Sequence, residues 1–97
     1  MDIFQQRLRD LRKEKKFTQK EFADKLQTTD DSIFSWEKGR SEPSIEMIRR
    51  ICAIFNISAD YLIGLENDDG SRIESSYEFE YRHDNTILKH KEKKNGT

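Results

Sequence analysis

The sequence predicts an all-α domain of five short helices, followed by a C-terminal extension that forms a strand or hairpin. Three observations carry this. Apolar residues recur at helical spacing as far as about Leu65. Ser, Thr, Asn and Gly punctuate that stretch where helices start and stop. Beyond residue 71 the period changes from helical to two. The boundaries read as 1–66 for the helical domain and 67–97 for a linker and tail.

In the first helix, Phe4, Leu8, Leu11 and then Lys15 fall at helical spacing on an otherwise charged segment. Thr18 and Glu21 have the spacing of a capping box, and Phe17 and Phe22 that of a hydrophobic staple, so a second helix begins there. Its inner face is Phe22, Ala23 and Leu26. Gln27-Thr28 breaks the pattern. Thr29 is the N-cap of a third helix, with Asp30 and Asp31 in its first turn, Ile33 and Trp36 inward, and Gly39 as its stop. Pro43 holds Glu42 extended. Ser44 then caps a fourth helix with the apolar set Ile45, Ile48, Ile51, Cys52 and Phe55. Ser58 caps a brief fifth helix, stapled by Ile57 and Leu62 and ended by Gly64. Residues 66–71 are a polar linker. After it Tyr77, Phe79 and Tyr81 alternate with Glu78, Glu80 and Arg82, and a turn at 83–85 would lead into Thr86-Ile87-Leu88. An isolated hairpin is marginal in water, so these aromatics want a surface, either their own domain's or that of a second subunit in a dimer. The alternative is a disordered tail whose Lys89 to Lys94 run is solvated or loosely contacts DNA.

The composition narrows the function. No apolar run approaches the roughly twenty residues of a membrane span, so no membrane partner is expected. No secretory signal is visible, and the single Cys52 agrees with a reducing cytoplasm. Catalysis is not expected, and no metal or cofactor is implied. The histidines, His83 and His90, lie in the tail, no Cys/His cluster has ligand spacing, and Cys52 sits on an apolar stripe. The net charge is −1, and residues 1–66 balance twelve basic against twelve acidic groups. A basic face must therefore come from distribution, with Arg7 to Lys16 as its main supplier.

Two short helices joined by a tight turn, the second followed by Trp36-Glu37-x-Gly39, make a specific combination. Thr18-Gln19-x-x-Phe22-Ala23-x-x-Leu26, Thr29-x-x-x-Ile33-x-x-Trp36, Pro43-Ser44 and Ile57-Ser58-x-x-Tyr61-Leu62-x-Gly64 complete it. Over about residues 4–65 the chain resembles the Cro/repressor (XRE-like) helix-turn-helix family. That resemblance implies a five-helix domain, a homodimer on a two-fold-related double-stranded DNA operator, and transcriptional repression in bacteria, phages or mobile elements. It also implies a buried Arg12–Glu37 ion pair, backbone and base contacts at Gln19, and base contacts from Thr29, Asp30, Asp31, Ser32 and Ser35, with Phe34 at the edge.

The physics of these positions stands beside the family. Ala23 lies where helices two and three approach most closely. Ile33 and Trp36 anchor the third helix, leaving its other face for the major groove. The start of helix two offers N–H groups to a phosphate. Phosphate contacts fall to Gln19, Lys20, Lys38 and Arg40, with Arg12 divided between its carboxylate and DNA. Phe34 could touch a thymine methyl group or pack into a dimer or partner surface. Asp30 and Asp31 depart from the family, where Gln, Arg or Ser is commoner. They stabilise the helix and suppress loose binding, with at most one accepting from cytosine. The rival reading is a protein-interaction module whose partner is a toxin, protease or anti-repressor, favoured by the neutral charge and the acidic third helix.

Overall fold

The computed structural model describes residues 2–73. The strand or hairpin expected between Tyr77 and Leu88 lies outside them. The described residues form α1 (Ile3–Glu14), α2 (Gln19–Leu26), α3 (Asp30–Lys38), α4 (Ile45–Phe55) and α5 (Ala59–Ile63). One core joins them, built from Phe4 and Leu8 of α1, Phe22, Ala23 and Leu26 of α2, Ile33 and Trp36 of α3, Ile51 and Phe55 of α4, and Leu62 of α5.

The starts of α2 to α5 follow from side-chain oxygens that accept otherwise orphaned N–H groups. Thr18 Oγ1 accepts from the Glu21 amide at 3.0 Å, and the Glu21 carboxylate accepts from the Thr18 amide at 2.8 Å. The Phe17 and Phe22 rings stack across that junction, 6.3 Å apart. Thr29, Ser44 and Ser58 cap α3, α4 and α5 in the same way. The ends are set by left-handed residues. Gly39 and Gly64 are the glycines, at φ +76° and +94°, but Gln27 and Asn56 adopt the same conformation at +61° and +55°. Gln27 therefore bears a strain that glycine would not. At Gly39 a Cβ would also displace the end of the Gln5 side chain, a lesser cost than the left-handed backbone itself.

Two apolar assignments differ from the pattern in the sequence. Lys15 is exposed beyond the end of α1, and Arg12 takes the inward position instead. An arginine can lie there because a carboxylate meets it. Ile45 is 74% exposed. It sits about a third of a turn round α4 from Ile51, so the inner face runs through Met47, Ile48, Ile51, Ile54 and Phe55, with Cys52 at its edge.

Residues 66–71 are not a plain linker. The chain folds back on itself, with Glu66 bridged to Arg72 and the Ile73 amide donating to the Leu65 carbonyl at 3.0 Å. Arg72 pairs with Asp60 at 2.9 Å. Arg7 fastens this return to α1: its guanidinium lies 3.8 Å above the Tyr61 ring and donates to the carbonyls of Tyr61 and Glu66. Arg50 does a similar service for α2, donating to the last-turn carbonyl of Leu26 at 2.9 Å. Among the described residues no helix is long and apolar enough to cross a membrane.

Candidate nucleic-acid interface

The pairing of α2 with α3 positions this site. Ala23 is buried between them, and the turn through Gln27 and Thr28 is closed by the Thr28 amide donating to the Ala23 carbonyl at 2.9 Å. A larger residue at Ala23 would push the two helices apart. Ile33, Trp36 and Glu37 hold α3 on the core, so its remaining side chains face solvent. Thr29, Asp30, Asp31, Phe34, Lys38 and Arg40 are exposed, and Ser32 and Ser35 are half-buried. This nine-residue helix is about 13 Å long, and its diameter of about 10–12 Å matches the roughly 12 Å width of a major groove.

Charge is segregated along this face. Asp30 and Asp31 lie in the first turn, against the positive end of the helix dipole, and Lys38 lies in the last turn, against the negative end. Thr29 is committed to capping, and its hydroxyl lies 3.0 Å from that of Ser32. The Phe34 ring is 37% exposed and has two cations near it, Lys38 at 5.8 Å and Arg40 at 5.2 Å.

Behind the face lies a buried polar network. Glu37 is 2% exposed and Arg12 is 9% exposed. Arg12 Nε donates to Glu37 Oε2 at 2.6 Å and its Nη2 donates to Oε1 at 3.0 Å, a bidentate pair. Arg12 Nη1 donates to the Phe17 carbonyl at 2.8 Å. Three of its five N–H groups are engaged and the side chain is buried, so the fold claims most of Arg12 and leaves little of it for the divided role expected with DNA. Gln19 joins the same network, its Nε2 donating to Glu37 Oε1 at 3.2 Å. The sequence offers no pattern that points to this contact. It ties the amide at the start of α2 to the end of α3, leaving the amide oxygen and one N–H of Gln19 for other partners. Lys20 is exposed and only loosely paired with Asp24, at 3.9 Å.

The basic supply also differs from the expected one. Of the run from Arg7 to Lys16, Arg7 caps α5 and Arg12 is buried with Glu37. Lys13, Lys15 and Lys16 remain exposed. The cations nearest the outer face of α3 are Lys38 and Arg40. Cys52 is half-buried, and burial pushes its thiol above the ordinary value, so the nucleophilic thiolate is disfavoured. Among the described residues no group of acidic, histidine or cysteine side chains could hold a metal ion.

Comparison with known proteins agrees with this geometry. The family model described as "Helix-turn-helix" matches residues 8–62. The chain is 36% identical over 67 residues to the uncharacterized HTH-type transcriptional regulator YqaE of Bacillus subtilis, covering 69% of this chain and 58% of that protein. It is 29% identical over 72 residues to YobD, an uncharacterized HTH-type transcriptional regulator of the same organism, covering 74% and 64%. The chain thus spans less than two thirds of the length of either relative. Among solved structures, the P22 c2 repressor in complex with a synthetic operator superposes with a TM-score of 0.61 at 25% identity, over 65% of this chain and 96% of that one. Matched by the family model over more than half its length, and superposing on that repressor, the chain belongs to the helix-turn-helix family of the Cro/repressor type.

Proposed function

We propose that the protein is a sequence-specific regulator of transcription that inserts α3 into the major groove of a double-stranded operator, acting as a repressor of phage, mobile-element or own-operon promoters. The observation that carries this reading is the division of α3 into an anchored face of Ile33, Trp36 and Glu37 and an open face. The DNA-binding unit expected at 1–66 takes in the fold-back through residue 73, and 74–97 is the tail. Thr29, Asp30, Asp31, Ser32 and Ser35 are the candidates for base contact. Gln19, Lys20, Lys38 and Arg40 are the candidates for phosphate, and Phe34 lies at the edge between the two groups. Beside the outer face of α3 the described residues place only Lys38 and Arg40, so binding strength depends on a homodimer reading two half-sites.

Beside the tail, one apolar surface is a candidate for cover by a second copy. Ile3 and Ile63 are exposed beside a groove lined by Pro43, Ile48, Leu65 and Ile73, between the start of α1 and the end of α5. The test is selection of bound duplexes from random DNA, followed by titration with salt. A DNA regulator yields a two-fold-related sequence whose affinity falls steeply with salt as counterions are released. Unselected sequences with flat salt dependence would end this reading.

A second reading has its own observation. Asp30 and Asp31 stand exposed at the leading end of α3, and Arg7 and Arg12 are withdrawn into the fold. A protein-interaction module, with a toxin, protease or anti-repressor as partner, would bear such a face. The same salt titration separates the two.

A further inference from the structure

Phe34, Lys38 and Arg40 are brought together by the way α3 ends. Lys38 follows Phe34 by four residues and so lies on the same side of the helix. Arg40 arrives by a different route. The Gly39 amide donates to the Trp36 carbonyl at 3.3 Å and the Arg40 amide to the Ser35 carbonyl at 2.9 Å, with Gly39 left-handed between. That turn folds the chain back and sets Arg40 beside the ring. Among the described residues neither cation is in an ion pair, and both reach the same aromatic group.

We propose that Phe34 is a positioning residue, whose ring holds Lys38 and Arg40 together as a two-cation clamp for one backbone phosphate rather than reading a base itself. This rests on the DNA-binding reading above and deepens it. Two long side chains at the surface lose rotamer freedom when they grip an anion. A ring that already attracts both has settled part of that ordering before DNA arrives. The same cations shield the ring, which leaves it poorly placed to take up a thymine methyl group. The clamp also compensates a defect of this face, since Asp30 and Asp31 repel phosphates at its other end.

The test uses the full chain and a duplex selected by the wild-type protein, together with the same duplex carrying deoxyuridine for every thymidine. Phe34→Leu should weaken binding roughly two- to fivefold, as expected for losing exposed cation–ring contacts, and lower the salt dependence by about one phosphate contact. The loss should be equal on both duplexes, restored by Phe34→Tyr, and absent when Lys38 and Arg40 are already glutamine. A loss confined to the thymidine duplex with the salt dependence unchanged would make Phe34 a methyl reader and overturn the clamp. So would a Phe34→Leu protein that binds like wild type. A wild-type protein whose binding ignores salt would instead overturn the DNA-binding reading, and the clamp with it.

Discussion

Arg12 and Glu37 are charges placed where the sequence pattern asks for a core residue, and each is tolerable only because of the other. Removing one leaves a buried charge without a partner. Arg12→Ala should therefore cost roughly 3–5 kcal/mol in urea unfolding. Replacing both by methionine should recover much of the loss. A single variant that unfolds like wild type would show the pair to be a loose surface contact. Gln27 tests the opposite sign. Its left-handed backbone at φ +61° is strained for any residue with a Cβ, so Gln27→Gly should stabilise the protein by about 1 kcal/mol. A lower melting temperature in that variant would mean the side chain contributes more than the strain costs.

At the scale of elements, the helices were legible because capping is local. A Ser or Thr and its acceptor geometry lie within four residues, so Thr18, Thr29, Ser44 and Ser58 mark their starts in the sequence itself. Contacts between elements were less legible. Nothing in the spacing of Arg7, Gln19 or Arg50 says that they reach Glu66, Glu37 and Leu26, because those partners lie 59, 18 and 24 residues away. Ile45 was misplaced for a related reason: apolar character near a helix start does not fix the angle at which that helix docks. The candidate site is legible as a position, the outer side of α3, but the network behind it is not. For α3, neutralising its acidic first turn should act in two directions. Asp30→Gln or Asp31→Gln should raise affinity for unselected DNA several-fold, while lowering stability by about 0.3–1 kcal/mol through the helix dipole. Unchanged affinity in both variants would place neither side chain near a phosphate.

For the whole molecule, the fold-back that fastens residues 66–73 shows where a truncation should begin. Arg72 and Ile73 belong to the folded unit, so deletion of 74–97 separates the tail from the domain. The shortened chain should keep its melting temperature and, if the tail joins two copies, lose the dimer in sedimentation. A dimer that survives would assign the association to the surface near Ile3 and Ile63. One consequence of the shared carboxylate remains. Glu37 takes Arg12 of α1 on both of its oxygens and Gln19 of α2 on one of them, so three helices meet at a single acid. Local opening that frees α1 removes the Arg12 charge and leaves Gln19 holding an otherwise unpaired buried carboxylate, which loosens the seat of α3 without melting α2 or α3. Recognition should then fade with warming while the helical signal in circular dichroism is still intact, which gives the domain a working temperature below its melting point. Affinity and ellipticity that fall together would show that the carboxylate carries stability alone.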